Sequence, residues 1–459
     1  MERMKTVRSC AVPRVLTVAG SDSGGGAGVQ ADLKTISLLG GYAMTVVTAL
    51  TAHNTRGVQE IFEVPAEFVA RQMDAVLSDI GADALKTGML NTPGIVRTVS
   101  RKIRHYRISR VVVDPVMTAK GGARLLGSEA AEALKRELIP LAQIVTPNVP
   151  EAEALTGIEI AGPKEMRRAA RKICSMGARG VVVKGGHLAG DPVDLFFDGR
   201  TFHEFPSERI PTAHTHGTGC TFSAVLAVEL ARGRSSLEAV KTAKDFTASA
   251  IRFSLPLGKG HGPVNPMAPA ARDAERFRIL EALKRAFALL RGKRIGPLIP
   301  EVGANLGYAL AEARGLEDVA AFPGRIRAAG AAAEPPHGPE FGGSRHMAAV
   351  ILTALRRDPQ IRSAMNIRYS EDILAAAGRA GFSLRGFDRA KQPARGKELS
   401  GFPFSWGVDL VLKNSAGTPD MIYDRGGIGK EAMIRVLGRD PEDVAGKIVK
   451  LSRFLPEAG

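Results

Sequence analysis

The sequence predicts two α/β domains, the first with a mainly parallel β-sheet covered by helices on both faces. With 459 residues the chain is too long for one ordinary hydrophobic core. From Arg14 to about Pro256, short β-branched runs alternate with segments long enough for crossover helices. The stretch LPLGKGHGPVNPMAPAAR, rich in glycine and proline, then separates this region from a second series of elements. We therefore expect domains at residues 13–268 and 272–459.

Six apolar runs are the predicted strands of the first domain: VLTVAG, VVTAL, ALKTGML, VVVDPVM, IVTPN and VVVKGG. Helical segments lie between these runs, a rhythm typical of a parallel sheet buried on both sides. Ligands of such sheets bind beyond the carboxyl ends of the strands. Functional residues are therefore expected in AGSDSGGG, KTGM, DPVM, TPNVPE and KGGH.

The second domain begins with an amphipathic helix, ERFRILEALKRAFALL, whose apolar stripe contains Phe277, Leu280, Leu283, Phe287 and Leu290. Its clearest predicted strands are WGVDLVLKN and PDMIYDRG, and further helices are predicted at SRHMAAVILTALRR and YSEDILAAAGRAG. This pattern predicts a smaller α/β domain.

The composition is that of a soluble globular protein, with 44% hydrophobic and 24% charged residues. Cys10, Cys174 and Cys220 show no CxxC spacing, so we expect neither a disulfide framework nor a zinc knot, and a reducing cytoplasm fits best. The N-terminal segment is basic and then apolar, like a secretion signal. It runs straight into a glycine-rich turn, however, and is interpreted as the first strand. No run of about twenty apolar residues predicts a membrane span.

The formal net charge of +16 raises the question of nucleic-acid binding. The basic residues are spread along the chain in segments such as RKIRHYRISR and MRRAARK, which are typical of solvated helix faces. We therefore expect no nucleic-acid partner, although a basic protein could also handle phosphorylated small molecules.

The segment HGTGCTF is the strongest motif of the first domain. Gly217 and Gly219 allow successive N–H groups to point at one place, and a following helix adds the positive end of its dipole. This arrangement predicts an anion hole for a transferring phosphoryl group, and it also predicts a lowered pKa for the Cys220 thiol. The alternative is a helix cap whose small residues only pack.

Polar residues at other strand ends suit a nucleotide and its metal. Asp114 in VVVDPVM, with Asn148 and Glu151 in TPNVPEAE, offers ligands for Mg²⁺. Asn148 and Glu151 could equally form a capping box, and Lys184 in VVVKGGH could be a phosphate ligand or a surface charge. The glycines of SDSGGGAGVQAD are a weak signal alone. Neither a dinucleotide fingerprint nor a Walker loop is complete, so a P-loop kinase is not expected.

The segments AGSDSGGGAGVQADLKT, TALTAHNTRGVQ, LKTGML, TPNVPEAEALTG, VVVKGGH and THGTGCTFSA together resemble the hydroxymethylpyrimidine and phosphomethylpyrimidine kinases of thiamine biosynthesis. The resemblance covers residues 13 to 265 and implies a ribokinase-like, three-layer fold. It also implies two successive ATP-dependent, Mg²⁺-assisted phosphorylations, first of a hydroxymethylpyrimidine and then of its monophosphate. Pyridoxal kinases share this fold, and some carry the cysteine, so they are the alternative for this domain.

The resemblance also implies roles for individual residues. Cys220 takes the position where most ribokinase-like enzymes use an aspartate base, and His53 stands where the family usually has a pyrimidine-binding glutamine. By the same matching, the anion hole is assigned to Gly217 and Gly219, phosphate contact to Lys184, the metal motif to Asn148 and Glu151, and the pyrimidine pocket to Gly20, Asp32, Met89 and Val116.

In the second domain, EVGANLGYA, AFPGRI, FGGSRHMA, NIRYS and GTPDMIYDRGGIGKEAM are similar to a thiamine-phosphate synthase domain that some prokaryotes, notably archaea, append to this kinase. The resemblance implies condensation of the pyrimidine diphosphate with hydroxyethylthiazole phosphate, which releases pyrophosphate. It makes Arg325 and a proton-donating His346 the catalytic pair. Asp420 or Asp424 are possible partners of Mg²⁺.

Three points stay open from the sequence. A precursor-sensing, non-catalytic second domain is the alternative to a synthase. Each of Arg368, Asp420, Asp424, Arg425 and Lys430, taken singly, could be a helix cap or a surface salt bridge. The chain is also expected to be a homo-oligomer.

Overall fold

The computed structural model describes residues 12–118, 125–335, 337–391, 406–427 and 431–455. Two residues singled out from the sequence, Cys10 and Lys430, lie outside these ranges. The chain forms two compact units, Met1–Ala270 and Ala271–Gly459.

The first unit alternates strands and helices along most of its length. Its elements are β1 (Arg14–Asp22), α1 (Gly28–Leu38), β2 (Tyr42–Asn54), β3 (Gly57–Glu63), α2 (Ala66–Leu77), β4 (Ala84–Thr87), α3 (Pro93–His105), β5 (Val111–Val113), α4 (Ser128–Ala133), β6 (Ile144–Val145), α5 (Val149–Thr156), α6 (Pro163–Cys174), β7 (Val181–Val183), β8 (Val193–Phe197), β9 (Phe202–Pro206), α7 (Thr218–Ala231) and α8 (Ser236–Arg252).

One nine-stranded sheet, ordered β3-β2-β1-β4-β5-β6-β7-β8-β9, forms the middle of this unit. The six strands from β2 to β7 in that order pair in parallel, and β3, β8 and β9 add antiparallel edges. Each of the six predicted apolar runs contributes one of the parallel strands. The prediction of a mainly parallel sheet is therefore confirmed.

Helices cover both faces of the sheet because successive strand residues point to opposite sides. On β1, Leu16 and Val18 pack in the core beneath α2 and α3, whereas Val15 packs in the core beneath α7 and α8. All three side chains are fully buried. This alternation gives the predicted three layers and brings the carboxyl ends of the parallel strands to one edge.

The second unit has a smaller, mainly antiparallel sheet. The elements from the end of the first unit onward are α9 (Ala268–Leu290), β10 (Leu306–Ala309), β11 (Val319–Ala321), β12 (Arg327–Ala329), β13 (Ala332–Glu334), β14 (Glu340–Phe341), α10 (Arg345–Arg357), β15 (Ser363–Arg368), α11 (Glu371–Arg379), β16 (Leu384–Phe387), α12 (Trp406–Lys413), β17 (Met421–Asp424), β18 (Met433–Gly438) and α13 (Pro441–Ser452). Seven strands pair in the order β14-β11-β10-β15-β18-β17-β16, and β12 pairs only with β13. Among the described strands of this sheet, β16 and β17 are the one parallel pair.

One predicted strand of the second unit is a helix. The segment WGVDLVLKN forms α12, because Val408, Val411 and Leu412 recur at helical spacing and pack in the same core as α10. The apolar stripe of α9 is also shorter than expected, since Phe277 is 67% exposed while Leu283 is fully buried. The other predicted strand, PDMIYDRG, is confirmed as β17.

No helix in the described part of the chain is long and apolar enough to cross a bilayer.

Candidate active sites

A cavity of about 850 Å³ lies in the first unit at the carboxyl ends of the parallel strands. This is where ligands bind in open α/β sheets. Nearly all the site residues expected in this unit line it, namely Gly20, His53, Met89, Asp114, Val116, Asn148, Glu151, Lys184, Gly217, Gly219 and Cys220. The exception is Asp32.

Two glycine-rich loops meet at this cavity through their backbones. Gly217 caps α7 with a φ of 81°, and a Cβ added there would lie 1.9 Å from the carbonyl oxygen of Gly26. Gly28, with a φ of 58°, is equally close to the carbonyl of Gly20, at 2.2 Å. This close approach of backbone to backbone explains why both motifs need glycine. It also brings the N–H groups in the first turn of α7 to the cavity.

The ammonium of Lys184 lies beside this helix terminus. A Cβ added to Gly219 would be 3.2 Å from Nζ of Lys184 and 3.4 Å from Oδ2 of Asp114. Lys184 donates to Oδ1 of Asp114 at 3.3 Å, and the Lys184 side chain is only 14% exposed. Lys184 is therefore not a surface charge. A cation and a helix N-terminus at one place suit a phosphate group.

Asn148 and Glu151 form the capping box that was the alternative to a metal motif. The Asn148 side chain accepts from the N–H of Glu151 at 2.9 Å, and Oε2 of Glu151 accepts from the N–H of Asn148 at 2.8 Å. Burial raises the pKa of Glu151 to about 7, against the opposing effect of Lys184. The carboxyl groups of Glu151 and Asp114 both line this cavity and offer the oxygen ligands that Mg²⁺ prefers, so these residues fit Mg²⁺.

The prediction of a lowered thiol pKa at Cys220 is wrong. Burial raises the pKa of the Cys220 thiol to about 11 and outweighs the Lys86 ammonium and the N–H of Gly28, which both favour the thiolate. The helix terminus is visible in the sequence, whereas the part-buried environment of the cavity wall around the sulfur is not. Cys220 therefore rests as a neutral thiol.

Asp32 does not contact the cavity, which corrects its assignment to the pyrimidine pocket. Its carboxylate is fully buried, accepts from Nζ of Lys86 at 3.0 and 2.8 Å, and accepts from the Thr17 hydroxyl at 2.5 Å. Lys86, also fully buried, acts electrostatically on Cys220. The sequence predicted functional residues in the KTGM segment but assigned no role to Lys86, because its buried partner Asp32 is distant in sequence.

His53 belongs to a cluster that includes two further residues missed from the sequence, Asp22 and His216. The Asp22 carboxylate lies 3.3 Å from Nδ1 of His53 and 3.0 Å from Nε2 of His216. Burial opposes ionisation of Asp22, but the two histidines and a backbone N–H hold its pKa at about 2. The ligand atoms are close enough for a metal ion. Asp22 already accepts three backbone N–H groups of the glycine-rich turn, so we interpret the cluster as a hydrogen-bond network that joins the two loops.

In the second unit, the expected pair Arg325 and His346 share one electrostatic environment. Burial, together with the guanidinium groups of Arg435, Arg389 and Arg325, lowers the pKa of His346 to about 4. His346 is therefore a neutral imidazole at neutral pH, not the imidazolium expected of a general acid. Arg325 has a φ of 66°, an uncommon value for a non-glycine residue and one that recurs at functional sites.

Arg389 and Arg435 were not identified from the sequence. Both donate hydrogen bonds to the carboxylate of Asp424, which is fully buried. The carboxylate oxygens of Asp424 are therefore occupied by arginine and not offered to Mg²⁺. Asp420 is held by Ser383 and by Lys447, while Arg425 forms an exposed pair with Glu371. For Asp420 and Arg425, the structure therefore contains the salt bridge that was the alternative to a functional role.

Two family models match the chain. Residues 22–265 match the model described as phosphomethylpyrimidine kinase, and residues 282–450 match the model described as thiamine-phosphate synthase ThiN. The chain is 58% identical over 252 residues to the thiamine biosynthesis bifunctional protein ThiED of Geobacter sulfurreducens, covering 55% of this chain and 51% of that protein. It is 48% identical over 257 residues to the hydroxymethylpyrimidine/phosphomethylpyrimidine kinase of Bacillus subtilis, covering 56% of this chain and 95% of that protein. The match thus spans about half the length of the Geobacter relative.

Solved structures similar to the first unit include two pyridoxal kinases. The Bacillus subtilis enzyme in its ADP complex has 40% identity and a TM-score of 0.54, over 57% of this chain and 100% of that one. The Staphylococcus aureus enzyme with AMP-PCP and pyridoxal has 38% identity and a TM-score of 0.53, over 56% of this chain and 95% of that one. These likenesses agree with the ribokinase-like fold expected from the sequence. Since the kinase model alone spans more than half of the chain, this protein belongs to the phosphomethylpyrimidine kinase family, and it carries a ThiN thiamine-phosphate synthase domain after the kinase domain.

Proposed function

We propose that this chain catalyses consecutive steps of thiamine biosynthesis. Its first unit phosphorylates 4-amino-5-hydroxymethyl-2-methylpyrimidine with ATP and then phosphorylates the monophosphate to the diphosphate. Its second unit condenses the diphosphate with hydroxyethylthiazole phosphate to give thiamine phosphate and pyrophosphate. The observation that carries the proposal is the convergence of Cys220, Lys184 and the first turn of α7 on one cavity. It is supported by the match of the second domain to the thiamine-phosphate synthase model.

In the kinase step, the phosphoryl group is transferred at the first turn of α7. The N–H groups of this turn and the Lys184 ammonium stabilise the negative charge on its oxygens. Asp114 and Glu151 are the residues that would hold Mg²⁺, which supplies further charge neutralisation of the nucleotide phosphates. The hydroxyl proton becomes acidic as its oxygen bonds to phosphorus. The resting Cys220 thiol first releases its own proton to solvent, and the resulting thiolate accepts the hydroxyl proton. Lys86 is the buried cation that favours that thiolate.

In the synthase step, the bond between the pyrimidine methylene carbon and the diphosphate oxygen breaks. The bonding electrons leave with pyrophosphate, and the thiazole nitrogen forms the new bond to the carbon. Arg325 supplies positive charge to the departing oxygens, and a neutral His346 donates an N–H hydrogen bond to them.

The test is a coupled assay on the full chain with pyrimidine alcohol, ATP, Mg²⁺ and thiazole phosphate. Thiamine phosphate is the expected product, and its absence with folded protein would overturn the proposal. In Cys220→Ala, added pyrimidine diphosphate should restore the product. In Arg325→Ala and His346→Ala, the diphosphate should accumulate instead. Persistence of the coupled product in both of these variants would favour a non-catalytic second domain with the synthesis catalysed elsewhere.

Pyridoxal is the second candidate substrate of the kinase domain. It is supported by His53 in place of the family's usual glutamine, and by the similarity to solved pyridoxal kinases. An imidazole cannot donate and accept at one edge as an amide does toward an aminopyrimidine. We expect kcat/KM to favour the pyrimidine alcohol, and His53→Gln to widen that preference. A wild-type preference for pyridoxal would reverse the assignment.

The homo-oligomer expected from the sequence has a candidate surface in the first unit. Leu50 on β2 and Phe62 on β3 are cross-strand partners, and they are 50% and 66% exposed. An exposed apolar pair of this size suits burial against a second copy. Light scattering should give a mass above that of one chain, and Phe62→Glu should lower it.

A further inference from the structure

Two arginines and one aspartate form a buried ionic cluster in the second unit. Nε and Nη2 of Arg389 donate to the two carboxylate oxygens of Asp424 at 2.5 and 3.1 Å. Nη1 of Arg435 donates to the same carboxylate at 2.8 Å. Asp424 ends β17 and Arg435 lies on the neighbouring β18, whereas Arg389 follows β16. The carboxylate at the end of β17 therefore aligns two guanidinium groups, one from β18 and one from the segment after β16, the two strands that flank β17.

The charges of this cluster do not balance. The Arg435 and Asp424 side chains are 1% and 0% exposed, and Arg389 is 17% exposed. Among the residues that the structure describes, two guanidinium cations and one carboxylate leave a net positive charge in a place with little water. A buried charge without a partner costs free energy, so such a site favours an anion. Within the described ranges, Nε of Arg435 has no hydrogen-bond acceptor.

The cluster acts electrostatically on His346, and both guanidinium groups pack against one aromatic ring. Arg435 and Arg389 are the largest charge effects on the His346 imidazole, ahead of Arg325. The ring of Phe387 lies 5.8 Å from the Arg389 guanidinium and 5.6 Å from that of Arg435. A cation over an aromatic face keeps a fixed orientation, so the remaining N–H groups are preorganised for a ligand.

We propose that Arg389 and Arg435 form the binding subsite for the diphosphate group of the pyrimidine substrate, with Asp424 as a positioning residue. This inference rests on the proposed synthase function of the second unit. A diphosphate matches it because the guanidinium N–H groups that Asp424 does not engage, Nε of Arg435 among them, can donate to the oxygens of two linked phosphates. When the methylene carbon–oxygen bond breaks, the electron pair moves onto a diphosphate oxygen, and the two guanidinium groups stabilise that added charge. No proton or redox partner is needed.

Binding of inorganic pyrophosphate to the full chain tests the subsite without requiring turnover. Calorimetry is done with the kinase cavity saturated by a non-hydrolysable ATP analogue, so that only the second unit is read. Arg389→Met should weaken pyrophosphate binding about ten- to a hundredfold, since hydrogen bonds to a charged group are lost. Inorganic phosphate should bind much more weakly than pyrophosphate to the wild type, and Arg389→Met should narrow that difference.

The matched control is Arg357→Met. Arg357 also forms a forked pair with a carboxylate, at 2.9 and 2.8 Å from Asp409, but on the exposed side of α10. This variant should bind pyrophosphate as the wild type does. Arg435→Met removes a fully buried cation and could unfold the unit, so Arg389→Met is the primary variant. The fluorescence of Trp406, whose ring lies 6.2 Å from that of Phe387, shows whether the second unit of Arg389→Met is folded.

Synthase assays with supplied pyrimidine diphosphate separate the subsite from the proposed function. We expect Arg389→Met to raise KM for the diphosphate and to lower kcat, and Arg389→Lys to recover part of both. The subsite is overturned if the wild type does not bind pyrophosphate, or if Arg389→Met and Arg357→Met bind it equally well. Arginine-dependent pyrophosphate binding in a chain that makes no thiamine phosphate would uphold the subsite and contradict only the synthase.

Discussion

Replacing Lys86 by methionine should destabilise the first unit strongly. Lys86 and Asp32 are both fully buried, and the change leaves the Asp32 carboxylate with only the Thr17 hydroxyl as a side-chain partner. Removing one member of a buried pair costs about 3–5 kcal/mol, because an uncompensated charge stays behind. The double variant Lys86→Met/Asp32→Asn removes that charge and should regain most of the loss.

The matched control for this prediction is Lys102→Met. Lys102 also pairs with an aspartate, Asp74, but these side chains are 18% and 43% exposed. Solvent screens such a pair, so the change should cost less than about 1 kcal/mol. Urea unfolding followed by circular dichroism measures the loss. Trp406, the only tryptophan of the sequence, reports the second unit separately.

The pH dependence gives an independent check. Burial raises the pKa of Asp32 in the folded chain, with Lys86 opposing. Without Lys86 the folded pKa is higher still, so the folded variant keeps a proton that the unfolded chain releases above about pH 4. Stability then falls as pH rises, and the deficit of Lys86→Met against wild type should be smaller at pH 5 than at pH 8. A deficit below about 1 kcal/mol, or a double variant as unstable as the single one, would refute the reasoning.

Two further predictions concern the kinase cavity. Cys220→Ala should lower kinase turnover by about 10²–10⁴-fold without changing the free energy of unfolding. The turnover rate of the wild type should still rise with pH above 9, because the pKa of the resting thiol is about 11. A plateau already reached by pH 8, or near-normal rates in Cys220→Ala, would contradict the base assignment. Gly217→Ala should lose both stability and turnover, because the new Cβ would meet the carbonyl oxygen of Gly26. The matched control is Gly233→Ala: Gly233 has a similar φ of 83°, but a Cβ there would have no atom within 4 Å. This control should lose only about 1–2 kcal/mol of stability. Equal losses in the two glycine variants would show that the close approach to Gly26 is unimportant.

The architecture of the first unit was predictable because it depends on local patterns. Short β-branched runs ending at glycine, aspartate or proline identify the parallel strands, and the residues after them line the cavity. The sequence also identified β17, but α12 was taken for a strand. A short apolar run of that length fits the periodicity of a helix and that of a strand equally well, and only its packing with α10 decides between the two.

Pairings between distant residues were not predictable in the same way. Asp32 and Lys86 lie 54 residues apart, and only the folded chain shows that they bind each other beneath the cavity rather than facing a ligand. Burial is equally invisible in a single sequence. The helix terminus at Cys220 therefore suggested a lowered thiol pKa, although desolvation dominates.

The two sites share one electrostatic arrangement. In each, a fully buried carboxylate, Asp32 or Asp424, holds a buried cation near a titratable group that burial keeps neutral, Cys220 or His346. A charged substrate changes that balance in a definite direction. Pyrophosphate bound at Arg389 and Arg435 adds negative charge beside His346 and should raise the pKa of its imidazole above the resting value of about 4. The bound anion would thereby strengthen the hydrogen-bond donor that its own departure requires.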